Sequence, residues 1–155
     1  MKEQLMLAVE FALLKHEGQL YGKHPYVYHL IQVDKLVVQA YAKTHKQGEQ
    51  YSKHPGDEID CLRAISYIHD VIEDCGVTTD ELRAFGFCEV VVQAVLYMSK
   101  SGEPYKDYIE GVKSNEFARK VKLCDTSANL MNSIQEGNTK RINKYSKQIQ
   151  LLGGF

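Results

Sequence analysis

Apolar residues recur every three or four positions along almost all of this chain, a period that admits helices and little else. Leu5, Val9, Ala12, Leu13 and His16 fall on one face of a first helix, and Gly18 ends it. Pro25 opens a second, with Leu30, Val33, Val37 and Ala40 as its apolar face. The polar stretch over 43–58 reads as a surface loop, after which Asp57 caps a third helix running through Ile65, Ile68 and Ile72 to Gly76. Thr78 and Glu81 have capping-box spacing for a short fourth. The valine-rich run FCEVVVQAVLYMSK has strand-forming residues but helical length, and its Val91, Val95, Met98 spacing predicts a buried helix. Pro104 and Ser114 begin two more, and Thr139 starts the last, which stops before the Gly-Gly preceding Phe155. The expectation is an all-α fold, one compact bundle of about seven to eight helices spanning 1–155 as a single domain.

Several functions are excluded early. The 155 residues carry a formal net charge of −1, with acidic and basic residues mixed, so no basic run marks a nucleic-acid face. No apolar run is long enough to span a membrane. The opening MKEQLMLAVEFALLKHE alternates charge and apolar residues at helical spacing without a small-residue cleavage site, so it reads as a helix and not as a signal peptide. Cys61, Cys75, Cys88 and Cys124 show no CxxC pairing and read as reduced thiols of a cytoplasmic protein.

Against that background the segment SYIHDVIED (66–74) stands out, with a histidine and three carboxylates inside an apolar helix. Burying ionised groups costs several kcal/mol each unless they are paired or hold a metal. Either these side chains face water, or something holds them together. On a helical wheel Cys61, Ile65, Ile68 and Ile72 share one side, with His69 and Glu73 one turn apart on its flank. Asp70 lies about 100° further round, and Asp74 one turn beyond it. An ion between the His69 and Asp70 directions takes a ligand from each, while Glu73 reaches a water beside it.

Two other segments supply partners. PYVYHL places His29 one turn into the second helix, near Val33. KVKLCDTSANL places Asp125 in a helix whose Val121, Cys124, Ala128 and Met131 are apolar, with Asn129 one turn on. His29, His69, Asp70 and Asp125 make a two-nitrogen, two-oxygen set. Such a shell suits Mn²⁺ or Fe²⁺, or another divalent ion of that kind, and the absence of thiolates argues against structural zinc.

The ordered motifs H…HD…ED…D resemble the HD-domain metal-dependent phosphohydrolases, and most closely the alarmone-hydrolase branch of Rel/SpoT proteins and small stand-alone enzymes. HEGQ (16–19) resembles H-x-G-Q, and PYVYH (25–29) resembles P-Y-I-x-H. AISYIHDVIEDCGVTTDEL (64–82) resembles A-x-L-H-D-V-x-E-D-T-x-x-T-x-x-x-L, and VKLCDTSANL (121–130) resembles V-K-L-A-D-x-x-x-N-L. The resemblance implies Mn²⁺ on His29, His69, Asp70 and Asp125, with Glu73 and Asp74 orienting and deprotonating the attacking water. It also implies substrate contacts from Asn129 and from Arg141 and Tyr145, which are spaced R-x-x-x-Y. Lys100 and Lys122 are candidate phosphate contacts, although both also fit a solvated helix face.

Two departures matter. The branch follows H-x-G-Q with an apolar residue and a basic pair that holds guanine, whereas here Leu20, Tyr21, Gly22 and Lys23 follow Gln19. Tyr21 is left to stack on a base, with Lys23 as the nearby cation. Leu30 replaces the branch's proline after its first histidine.

The implied activity is Mn²⁺-dependent hydrolysis of a nucleotide, first among them guanosine tetra- or pentaphosphate at the 3′-pyrophosphate. The alternatives are the same chemistry on another nucleotide (NADPH, nucleoside or deoxynucleoside phosphates) and a module that binds nucleotide or metal without turnover. A metal-free helical adaptor leaves His69 and Asp125 on apolar helices unexplained.

Overall fold

The computed structural model describes residues 3–44 and 58–155. Asp57 and most of the expected 43–58 loop lie outside the described residues. The described chain is helical almost throughout: α1 (Gln4–Lys15), α2 (Val27–Thr44), α3 (Glu58–Ile68), α4 (Val71–Cys75), α5 (Thr79–Phe85), α6 (Glu89–Met98), α7 (Tyr105–Ser114), α8 (Glu116–Gln135) and α9 (Thr139–Leu152). The all-α expectation holds. No helix among the described residues is long and apolar enough to cross a membrane.

Helices α2, α3, α6 and α8 enclose the core. Leu30 and Val33 from α2 meet Leu62, Ile65 and Ile68 from α3, Val91 and Val95 from α6, and Val121 and Ala128 from α8. Helix α1 packs on α3, and α9 on α8. Residue chemistry marks many boundaries. Thr78 accepts from the Glu81 N–H while the Glu81 side chain returns to the Thr78 N–H, the capping box expected for α5. Asn115 and Asn138 cap α8 and α9 in the same one-sided way, through Ala118 N–H and Arg141 N–H. The valine run forms α6, with Val91, Val92, Ala94 and Val95 buried.

Four details differ from the sequence reading. The inward stripe of α1 is Gln4, Leu7, Ala8, Phe11 and Ala12, and Leu13 is 55% exposed, because this helix is apolar on both flanks. Met131 of α8 is 50% exposed, and Asn132 and Ser133 turn inward in its place. Pro25 does not open α2. It pairs with Leu20 in a hairpin of β1 (Leu20–Tyr21) and β2 (His24–Pro25), with Tyr21 opposite His24. The turn is Gly22–Lys23, and Gly22 has the positive φ of 59° that a tight hairpin turn requires at its first position.

The fourth difference is the most consequential: the expected 57–76 helix is broken at His69–Asp70. A continuous helix would pass the Ser66 carbonyl to the amide four residues on. Instead His69 Nδ1 lies 2.9 Å from that carbonyl, so a side chain competes for the helix's own acceptor. The helix restarts at α4, where Asp74 N–H donates to the Asp70 carbonyl.

Ile65 is fully buried among α3's neighbours. Ile65→Ala is expected to lower the unfolding free energy by about 2–5 kcal/mol, read as an earlier urea midpoint at unchanged m-value.

Candidate active site

Two helices and one helix break converge on a single point. His29 comes from α2, His69 from the α3–α4 break and Asp125 from α8, and their ligand atoms all lie within 4.8 Å of one another. All three side chains are buried. His29 Nε2 is 2.9 Å from Asp125 Oδ1. His69 Nε2 is 3.0 Å from Asp70 Oδ2 and 3.5 Å from Asp125 Oδ1, yet it makes no hydrogen bond.

That orphaned nitrogen tests whether the residues fit a metal. The Ser66 carbonyl is only an acceptor, so it places the ring proton of His69 on Nδ1. In the neutral ring Nε2 would present its lone pair to two carboxylates, a repulsive arrangement that a proton or a shared cation relieves. Burial disfavours an imidazolium here, but Asp70 and Asp125 outweigh it and push the His69 pKa well above the usual histidine range. The pocket is therefore built to hold positive charge, and the backbone-anchored imidazole is the usual device for aiming a metal-ligating nitrogen. The donor set fits a divalent ion of the imidazole–carboxylate type.

The two carboxylates are strongly acidic for related reasons. Burial works to raise the Asp125 pKa, but Lys122 and both histidines hold it well below the usual range. Lys122 Nζ is 2.8 Å from Asp125 Oδ2. Burial also opposes the charge of Asp70, and His69 draws its pKa down to about 2. Asp70 stands at the edge of the three-residue cluster, where its Oδ2 also accepts from the Tyr26 hydroxyl.

Glu73 and Asp74 open α4 and diverge. Glu73 Oε1 accepts from the Lys100 N–H, and Asp74 Oδ2 accepts from Gln19 Nε2 at 2.9 Å. His16 in turn holds Gln19, with Nδ1 2.7 Å from Oε1. Each acid thus has one oxygen tied down from a different side.

A small polar pocket of about 140 Å³ adjoins the cluster. Among the residues expected to touch substrate, Tyr21, Lys100, Lys122, Asn129 and Tyr145 line it, and Arg141 and Lys23 do not. The Arg141 guanidinium lies 5.8 Å from the Tyr145 ring and pairs with Glu136 at 3.2 Å. Lys23, carried on the hairpin turn, lines a separate cavity with His24 and Tyr28. Tyr21 stacks face-on against His29 with centroids 4.6 Å apart, and its hydroxyl donates to Asn129 Oδ1 at 2.7 Å. Asn129 Nδ2 donates to Asp125 Oδ1 at 2.9 Å, which completes a chain from the hairpin to the cluster.

No family model matches the chain, and no curated protein matches it. Among solved structures, a metazoan ortholog of SpoT, described as hydrolysing ppGpp and acting in starvation responses, superposes with a TM-score of 0.71. The superposition covers 99% of this chain and 88% of that one, at 19% sequence identity. The chain shares that protein's fold.

Some site residues escaped the sequence reading. Tyr26, Lys144 and Gln148 all line the pocket. Tyr26 lay in plain view within PYVYH, but only the folded chain brings it against Asp70. Lys144 and Gln148 sit one turn apart on α9 with no local mark, and they reach the pocket because α9 packs along α8.

An added divalent ion is expected to raise the Tm, since a ligand at about a hundred times its Kd adds roughly 2.7 kcal/mol to a folded state. In calorimetry His69→Ala should abolish that increment.

Proposed function

We propose that this chain is a Mn²⁺-dependent phosphohydrolase acting on a nucleotide, with the 3′-pyrophosphate of guanosine tetra- or pentaphosphate as the leading substrate. The observation that carries the reading is the His69 Nε2 lone pair aimed between Asp70 and Asp125 beside a lysine-lined polar pocket. The fold shared with a protein described as hydrolysing ppGpp supports it further.

His29, His69 and Asp125 would hold the ion, with Asp70 at its edge. When bound, the ion offsets charge on phosphate oxygens and acidifies water. The chain's own groups do the rest. Lys122 and Lys100 neutralise the phosphate oxygens, and Lys144 adds charge from α9. Glu73 Oε2 and Asp74 Oδ1 take the proton as water attacks phosphorus, since among the described residues each acid's hydrogen bond engages its other oxygen. The water oxygen forms the new P–O bond, and the ester oxygen leaves with the electron pair of the old one.

A second reading keeps this chemistry and changes the nucleotide, to NADPH or a nucleoside or deoxynucleoside phosphate. The hairpin favours it, since Tyr21–Gly22 stand where the resembling branch carries its guanine-holding basic pair, with Tyr21 stacked on His29 and Gly22 in the tight turn.

The test is hydrolysis with Mn²⁺ over guanosine tetraphosphate, nucleoside triphosphates and NADPH, with phosphate and pyrophosphate quantified separately. Pyrophosphate release from the tetraphosphate is expected, and release from another compound would favour the second reading. Asp70→Ala should lose activity, and its retention of both bound metal and full turnover would overturn the assignment. Glu73→Gln combined with Asp74→Asn should keep the metal and lower kcat by about 10²–10⁴-fold. Metal binding without turnover on any compound would replace the enzyme with a binding module.

The hydrogen bond from Gln19 fixes Asp74, so Gln19 is a positioning residue. Gln19→Ala is expected to lower kcat about tenfold with little change in KM, about 1.4 kcal/mol of transition-state stabilisation, measured by steady-state kinetics.

A further inference from the structure

A nucleotide has two ends, and the site described so far receives only one. The pocket beside His29 and Asp125 is small and polar, suited to phosphate. On its hairpin side the aromatic candidate is committed. One face of Tyr21 is stacked on His29, and its hydroxyl is bonded to both Asn129 and Asn132.

On the opposite side a larger groove of about 390 Å³ opens between α4, α6 and α7. Its walls are mainly carbon, from Ile72, Leu96, Tyr97 and Tyr108, while Asp107 supplies an acceptor for a ring N–H or amino group. A size of this order and an apolar wall with few polar groups are the usual properties of a site for the organic part of a ligand. Lys100 lines both this groove and the phosphate pocket. Its side chain lies over the Tyr108 ring at 5.3 Å, and its N–H holds Glu73. The groove therefore borders the site at Lys100, the residue whose N–H positions a candidate catalytic acid.

Gly111 adds an independent sign. It sits inside α7 with no positive φ, so the backbone does not call for glycine there, and glycine weakens a helix. A Cβ there would make ordinary contact with Tyr97 Cδ1 at 3.9 Å, so what the bare glycine leaves is open room for a larger group beside that ring.

We propose that the groove between α4, α6 and α7 receives the nucleobase of the substrate, with Tyr97 as its stacking platform and Gly111 kept bare to admit it. The inference rests on the phosphohydrolase reading and extends it to the other end of the substrate. Base–aromatic stacking tolerates any base, so the groove accommodates departure from guanine as readily as guanine itself.

Gly111→Leu fills the groove while removing a helix glycine, and Tyr97→Ala removes the platform at a position 42% exposed, so the two perturb the fold in different ways, and circular dichroism checks each. Guanosine is observed by saturation-transfer NMR, without turnover. Kinetics with Mn²⁺ compare guanosine tetraphosphate with 5-phosphoribosyl pyrophosphate, which has no base. Saturation of guanosine by the wild type, lost in both folded variants, is expected. A KM for the tetraphosphate raised about tenfold, as for one lost stack, with little change for the base-free compound, would support the same conclusion. Guanosine that fails to saturate with the wild type, or saturates equally with Gly111→Leu, overturns the groove, as does an equal rise in KM for both compounds. Guanosine saturation lost in the variants, with no hydrolysis of either compound by the wild type, would support the groove and overturn the phosphohydrolase reading.

Discussion

Two carboxylates, Asp125 buried and Asp70 partly exposed, facing one imidazole nitrogen set the terms for this protein. Asp70 and Asp125 both approach His69 Nε2, and Lys122 adds a fixed positive charge in contact with Asp125. An uncompensated charge at such depth costs several kcal/mol, so the arrangement persists only while cationic charge is shared among these groups. The bundle is organised to supply that charge. Helix α8 carries Asp125 and Lys122 three residues apart on one face, with Lys122 on Asp125 Oδ2, and α2 brings His29 against Asp125 Oδ1. The pairing ties α2 to α8, as does the hydrogen bond from Asn132 Nδ2 to Gln32 Oε1 a turn or two further along both helices.

The break between α3 and α4 follows from the same need. An unbroken helix would place His69 and Asp70 about 100° apart, each pointing to its own sector. By taking the Ser66 carbonyl, the His69 ring ends α3 and fixes its own orientation in one contact. The Asp70 carboxylate, freed from any capping role, turns to His69 and to Tyr26. One side-chain hydrogen bond thus links local backbone geometry to the chemistry of the cluster. The restarted α4 then presents Glu73 and Asp74 to opposite neighbours, the 99–101 segment and the turn after α1.

Around this centre the two flanks differ in character. The hairpin flank is tightly hydrogen-bonded, from Tyr21 through Asn129 to Asp125, and its aromatic ring buttresses His29. The α6–α7 flank is carbon-walled and open, joined to the centre by Lys100. A rigid polar flank and an accommodating apolar one suit a ligand whose charged end is held strictly and whose ring end is held by stacking.

Much of this was legible in the residues themselves. Helical periodicity, capping-box spacing and polar residues on apolar faces are local properties, and they marked the helices and singled out His29, His69 and Asp125 before any fold was known. The inward sides of α1 and the end of α8 were misread, because apolar residues on both flanks leave the choice of face to packing. The hairpin at Gly22–Lys23, the break at His69, and the arrival of Tyr26, Lys144 and Gln148 were decided by tertiary structure alone. Each depends on contacts between residues distant in the chain or on a side chain outcompeting a backbone amide. The sequence by itself determined which groups were too costly to bury alone, and the tertiary structure decided which of them would share their charge, because a distance between elements is set only when they pack.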